Sequence, residues 1–186
     1  DNVRIIDAND INYQIDGITA YEWREELDNW KEDVEFTMNY TQVQDLSVIM
    51  VLDESASLGE DFEKVKQYAS SFITNVLAEI PNARIGIVDF ADEIHTFPAT
   101  NNKTALINYI ASLQQGPFTT LYESVNVGID MLEDMDAEAK VLLVFTDGTD
   151  NNSDPEFTPT YILDRLNNTT SDVKITSFTI GLEGKG

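Results

Sequence analysis

The stretch Leu46-Ser47-Val48-Ile49-Met50-Val51-Leu52-Asp53-Glu54-Ser55-Ala56-Ser57 decides how the chain is read. Residues 47–52 are apolar at nearly every position and rich in Val, Ile and Met. A strand covered on both faces, as in the middle of a parallel sheet, has this pattern. The run stops at an aspartate, and Asp53, Ser55 and Ser57 then fall on alternate positions. In open α/β sheets ligands bind just past the carboxyl ends of strands, where strand order reverses. Hard oxygen donors there are suited to a hard divalent cation.

The same alternation of apolar runs and amphipathic spacing continues downstream. Phe62, Val65, Ala69, Phe72, Ile73, Val76 and Ile80 lie on one helical stripe, which Pro81 ends. Residues 84–90, RIGIVDF, form a second buried strand, and residues 93–97 suit a short edge strand with His95 near its centre. Residues 103–113 form a modest helix. After the break at Gln115-Gly116-Pro117-Phe118, the residues Leu121, Val125, Gly128, Ile129 and Leu132 mark another helix. Residues 140–145, KVLLVF, are a further strand, ending at Thr146-Asp147-Gly148. A polar loop, a short helix over 161–166 and a last strand over 173–180 follow. This pattern predicts an α/β fold: a mostly parallel, doubly wound sheet with helices on both faces.

Residues 1–45 read differently, as a small N-terminal β-rich appendage. Residues 3–6 and 11–15 are short strand candidates, and residues 34–41 alternate apolar and polar in a period-two strand. Trp23 and Trp30 lie between them in a charged segment of no clear period and are expected to be buried anchors.

Composition limits the function. The 186 residues, 42% of them hydrophobic, suffice for one sizeable core over 46–186. With 34 acidic and 11 basic side chains the formal charge is -23, so nucleic acid and anionic membrane surfaces are poor partners. No apolar run approaches a membrane span, and no basic-then-apolar leader opens the chain; an exported protein would begin upstream of it. Cysteine is absent, which removes thiolate metal sites and cysteine nucleophiles. A single histidine excludes multi-histidine zinc sites, and His95 is expected to be structural or exposed.

Two central strands thus end in an aspartate, Asp53 and Asp147, and Thr119 and Thr120 lie at the mouth of a helix. If the strands are parallel, all three loops open on one edge of the sheet. Two carboxylates in one crevice repel unless a positive charge lies between them, and few carboxylates among many neutral oxygens suit Mg²⁺.

These motifs resemble the von Willebrand factor A (integrin I-like) domain with its metal-ion-dependent adhesion site. Asp53-Glu54-Ser55-Ala56-Ser57 matches the D-x-S-x-S pattern; residues 116–122, GPFTTLY, resemble the Gly-rich loop whose threonine precedes x-Leu-Tyr; Phe145-Thr146-Asp147-Gly148 resembles the T-D-G motif. The likeness extends over about residues 46–181, including element order. It implies Asp53, Ser55, Ser57, Thr119 and Asp147 as metal-coordinating residues, with Mg²⁺ (or Mn²⁺/Ca²⁺) as the ion. It also implies a non-enzymatic adhesion or protein-interaction module, whose protein partner completes the metal shell with a carboxylate or another oxygen. An extracellular or cell-surface location, in a bacterium, is expected from the likeness and the acidity. Gly-Pro-Phe stands before Thr119 where the family usually has a second glycine. The family pattern continues with another strand and a closing helix, which 46–186 is expected to lack.

Other readings of the same residues exist. Ser57-Leu58-Gly59-Glu60 and Thr120-Leu121-Tyr122-Glu123 are also capping boxes, and Asp147-Gly148 is also an ordinary turn. Asp150 to Asp154 begins like a calcium loop, but Pro155 stands where glycine is needed, and a solvated loop is expected. A structural module whose metal only stabilises the fold is the alternative function. A phosphatase of the haloacid-dehalogenase type needs a second aspartate two positions after the first, where this chain has Ser55.

Overall fold

The computed structural model describes residues 21–24, 29–32, 45–148 and 150–181. The chain folds as two units, residues 1–43 and 44–186. In the first, strands β1 (Tyr21–Arg24) and β2 (Asn29–Glu32) pair antiparallel, with Trp23 opposite Trp30 in the ladder. Within the charged segment without a period of its own, Tyr21–Arg24 and Asn29–Glu32 are therefore strand. The strands expected at 3–6, 11–15 and 34–41, and the side chains of both tryptophans, lie outside the described residues.

The second unit holds a five-stranded sheet: β3 (Leu46–Asp53), β4 (Arg84–Phe90), β5 (Ile94–Thr100), β6 (Ala139–Thr146) and β7 (Ile175–Gly181), in the order β5-β4-β3-β6-β7. All neighbours are parallel except β4 and β5. The α/β reading with a mostly parallel sheet holds. Every residue of β3 is buried, as expected of the central strand. The edge strand β5 runs on to Thr100, past the expected end at residue 97. It tolerates Pro98 because an edge strand leaves one row of N–H groups unpaired.

The helices that cover the sheet are α1 (Phe62–Glu79), α2 (Lys103–Ser112), α3 (Leu121–Glu133) and α4 (Pro159–Asn167). Ile49 and Val51 of β3 pack in one cluster with Val88, Phe90, Leu142 and Val144 of the neighbouring strands, Val125, Ile129 and Leu132 of α3, and Ile162 of α4. The alternate residues Val48, Met50 and Leu52 point to the opposite face and are equally buried. There α1 and α2, which pack on each other, bury Val65, Phe72, Ile73, Leu106 and Ile110. Gly128 lets α3 approach the sheet closely: a Cβ there would lie 2.8 Å from a Leu142 methyl and 3.0 Å from a Val51 methyl. Among the described residues no helix is long and apolar enough to cross a membrane.

This topology fixes where a ligand can sit. From β3 the chain turns to β4 on one side, and from β6 it turns to β7 on the other. The loops after β3 and β6 therefore diverge, leaving a crevice above the carboxyl ends of two adjacent strands.

Arg165 ties the two helices of one face together. Its guanidinium donates to Asn126 Oδ1 (2.6 Å), Asp130 Oδ1 (2.7 Å) and Glu133 Oε2 (2.9 Å), all on α3. The planar fork reaches these acceptors from two separate nitrogens, where an ammonium offers a single point charge. Arg165→Ala is expected to destabilise the protein by about 2 kcal/mol in urea unfolding, and Arg165→Lys to recover less than half of that. Stability unchanged in Arg165→Ala would contradict this role.

Candidate metal centre

Asp53 is the last residue of β3 and is fully buried. Its Oδ1 accepts the Ser55 backbone N–H at 2.8 Å, the local turn that aspartate favours at strand ends. Its Oδ2 accepts the Thr146 hydroxyl at 2.8 Å, from the end of β6. Each carboxylate oxygen keeps a lone pair beyond these bonds. Ser55 and Ser57 bring their hydroxyls to 2.9 Å of each other. The capping-box reading of Ser57 does not hold. Residues Ala56–Asp61 form a short 3₁₀ turn with no side-chain cap, Gly59 breaks it at φ +53°, and α1 starts only at Phe62.

The second loop is laced to the first. Ala56 N–H donates to Gly116 O (2.9 Å), Gly116 N–H to Glu54 O (3.0 Å), and the Gln115 amide to Ser55 O (3.0 Å). Gly116 is needed for this approach: a Cβ would stand 2.5 Å from the Ala91 Cβ, which cannot move without the backbone. Thr119 and Thr120 are both buried. Thr120 spends its hydroxyl on Ala91 O at 2.7 Å, so it makes no helix cap either. Thr119 is held by its backbone, N–H to Asn151 Oδ1 and O from Asn151 N–H, both at 3.0 Å.

The third loop follows β6. Thr146, already on Asp53, also accepts Gly148 N–H at 2.9 Å, and Gly148 takes φ +93°, a conformation open to glycine. Asp147 Oδ1 is a buried oxygen with no hydrogen-bond partner among the described residues. Beyond it, the Asp150 carboxylate accepts Tyr122 N–H (2.9 Å), Ser153 N–H (3.2 Å) and the Ser153 hydroxyl (2.6 Å), while Ser153 Oγ accepts Glu123 N–H (3.1 Å). The stretch from Asp150 to Asp154 is thus the cap of α3, placing a negative charge at a helix N-terminus. That explains the acidic loop without a second cation.

Sequence reasoning gave Thr146 no role, although it joins the first and third loops. It also passed over Asn151, Gln115 and the neighbouring polar cluster. In that cluster Tyr109 donates to the buried Asp89 at 2.6 Å, and Glu54 Oε1 is buried without a partner among the described residues. His95, exposed, stands 3.5 Å from both Asp89 and Glu93. Among the described residues no three acidic or histidine side chains converge as a metal cage. The strand-end crevice instead combines two carboxylates with hydroxyls.

The electrostatics are unfavourable as they stand. Burial raises the pKa of Asp53; the bonds from Ser55 and Thr146 lower it, and the charge of Asp147 raises it again. Burial, with help from Asp89, pushes Glu54 up to about 8, against the pull of Lys66. A carboxyl whose pKa is raised on folding takes up a proton, so stability is present below the unfolded pKa and is lost as pH rises through the folded one. In chelator, stability is expected to fall between pH 4.5 and about 8, the unfolded and folded values of Glu54. Glu54→Gln should flatten that slope and add about 3 kcal/mol at the alkaline end in urea unfolding. An unaltered slope would contradict the burial of an ionisable Glu54.

A family model for the von Willebrand factor type A domain matches residues 47–186. Among solved structures, the chain is similar to BatB from Bacteroides thetaiotaomicron, with TM-score 0.58 and 20% identity over 73% of this chain and 66% of that one. It is similar to the vWF domain of the type V pili tip protein Mfa5 from Porphyromonas gingivalis, with TM-score 0.55 and 19% identity over 59% of this chain and 40% of that one. It is also similar to the pilus adhesin SpaC from Lactobacillus rhamnosus GG, with TM-score 0.52 and 18% identity, covering 59% of this chain and 15% of that one. The chain thus spans between 15% and 66% of their lengths, and at these identities the likeness is one of fold. A search of the curated proteins found no match. The matched residues hold the sheet, the helices that cover it and all three strand-end loops, and the chain belongs to the von Willebrand factor type A domain family.

Proposed function

We propose that this domain is a divalent-cation-dependent protein-interaction module, non-enzymatic, acting in adhesion at a bacterial cell surface. The carrying observation is the pair Asp53 and Asp147. The buried Asp147 oxygen has no partner among the described residues, and its charge raises the pKa of Asp53. A cation between them would remove that repulsion. Asp53, Ser55, Ser57, Thr119 and Asp147 would hold it. Mg²⁺ suits a site of few carboxylates and several neutral oxygens, because it keeps water in its shell; Mn²⁺ and Ca²⁺ are the other candidates. When bound, the ion supplies a positive charge with a displaceable water.

The chain's own residues do the rest. Thr146 and the Ser55 N–H hold Asp53 by one oxygen each, and the remaining lone pairs would face the ion. Gly116 and Asn151 hold the second loop against the first and third. A partner would offer a carboxylate or other oxygen in place of the water, and the surrounding loops would select it. Support for adhesion comes from two of the similar structures, a pili tip protein and a pilus adhesin. The same likeness, with the acidic surface, supports a surface location.

Calorimetric titration of Mg²⁺ into chelator-stripped protein tests the reading. Physiological salt is required, since so acidic a surface gathers cations non-specifically. One saturable site is expected, weakened about a hundredfold in Asp53→Ala and about tenfold in Thr146→Val, which keeps the Asp53 carboxylate but loses the hydroxyl that orients it and that accepts the Gly148 N–H. Identical titrations for Asp53→Ala and the unaltered protein would sink it.

A further inference from the structure

The strand-end loops carry an apolar strip that the metal position leaves unused. Pro117 and Phe118 stand exposed between Gly116 and the buried Thr119, and Phe118 is 49% exposed. Ala56, exposed between Ser55 and Ser57, lies beside Gly116, because its N–H donates to Gly116 O at 2.9 Å. Ala56, Pro117 and Phe118 thus interleave with Ser55, Ser57 and Thr119, three of the residues that would hold the ion. Exposed apolar residues scattered singly are ordinary on protein surfaces, and Tyr68 on α1 and Leu163 on α4 are of that kind. Phe118 differs in how it is held. Before it, Gly116 N–H donates to Glu54 O at 3.0 Å. After it, Thr119 and Asn151 exchange two bonds at 3.0 Å, and Thr120 N–H donates to Ala91 O at 3.0 Å. The Pro117 ring fixes one more backbone angle. An aromatic presented in water on a backbone pinned at both ends needs little further ordering when it is covered. On the third loop a Cβ at Gly148 would meet no described atom within 4 Å, so that side of the crevice stays open to an incoming chain.

We infer that Phe118, with Pro117 and Ala56 beside it, sets partner specificity by covering a large apolar side chain next to the partner's metal-completing carboxylate; this rests on the reading of the metal position above. The ring has no hydrogen-bonding atom, so what it recognises is apolar surface taken out of water. Consecutive Cα atoms are about 3.8 Å apart, so a partner residue adjoining the one that reaches a metal at Thr119 comes within reach of Phe118. Aromatic anchors inside a polar rim carry most of the binding energy of protein interfaces. The rim here is polar, with Ser57, Asn151 and Asn152 exposed around the strip. The partner's recognition element is therefore an acidic residue flanked by an aromatic or branched aliphatic one. A carboxylate among hydrophilic neighbours would reach the ion and leave Phe118 in water.

The probes are two acetylated pentapeptide amides of equal charge, Gly-Phe-Asp-Phe-Gly and Gly-Ser-Asp-Ser-Gly. Each is titrated into the whole chain in physiological salt, with Mg²⁺ and in chelator, and followed by backbone-amide NMR. With Mg²⁺, the Phe peptide is expected to shift Ala56, Phe118 and Thr119 saturably and to bind about tenfold tighter than the Ser peptide. In Phe118→Ser that ratio should fall below about threefold, whereas Phe118→Leu keeps most of it and Leu163→Ser, on α4, leaves it unaltered. The ratio compares two peptides on one protein, so any loss at the metal itself cancels. A ratio near unity, a ratio unaltered in Phe118→Ser, or shifts centred on Tyr68 or Leu163 would overturn the inference. So would the lack of a saturable shift by the Phe peptide up to about 10 mM with Mg²⁺ bound. A Gly-Lys-Asp-Lys-Gly peptide that outbinds the Phe peptide, and loses its advantage in Phe118→Ser, would give the ring to a cation and overturn it too. Mg²⁺-dependent binding of both peptides at equal strength overturns the apolar strip alone. A Phe118-dependent ratio in chelator, with no Mg²⁺ binding, keeps the strip as an anchor and overturns the metal reading beside it.

Discussion

Two like charges at the ends of adjacent parallel strands are the constraint around which this domain is built. Asp53 closes β3 and Asp147 follows β6, and the pairing of Leu52 with Phe145 brings those ends together. Burial strips Asp53 of its water and raises its pKa, and the charge of Asp147 raises it further, so the arrangement costs free energy in the metal-free protein. Nothing in the packing of the sheet requires it. The surrounding structure nevertheless holds it in place, with the Thr146 hydroxyl on one oxygen of Asp53 and the Ser55 N–H on the other. An aspartate held this firmly against burial and a neighbouring charge supports the proposed site.

The rest of the second unit can be understood as support for that edge. Packing covers both faces of β3, with Ile49 and Val51 under α3 and Val48, Met50 and Leu52 on the opposite side. The loops above it are joined by backbone bonds where Gly116 meets Glu54 and Ala56, and where Thr119 meets Asn151. Asp150 and Ser153 satisfy the first N–H groups of α3, so the helix needs no cap from the Thr120 side chain. Thr120 instead anchors to Ala91, and its neighbour Thr119 is held by its backbone against Asn151.

Much of this was legible in the chain. The buried strands β3, β4 and β6 are short apolar runs bounded by polar residues, and they form where those runs lie. The edge strand β5 was harder, because one covered face and Pro98 leave only a weak alternation. The β1–β2 pairing was not legible, since the register of Trp23 against Trp30 depends on a partner strand and not on a local period. Residues within one loop, Asp53, Ser55 and Ser57, could be grouped from spacing. Thr146 could not be given its role, because its bond to Asp53 joins residues 93 apart and follows from the register of β3 against β6. The two capping boxes failed for a related reason: Ser57 and Thr120 have nearer partners in space than the helix ends that sequence spacing assigns to them.

The most direct measurement is anomalous diffraction from crystals grown in Mn²⁺, which replaces Mg²⁺ with a scatterer that can be located. One strong peak is expected between Asp53 and Asp147, within direct coordination distance, about 2–2.3 Å, of the Ser55 and Ser57 hydroxyls. A protein with no peak there, or with its ion against Asp150 and Asp154 instead, would contradict the metal centre.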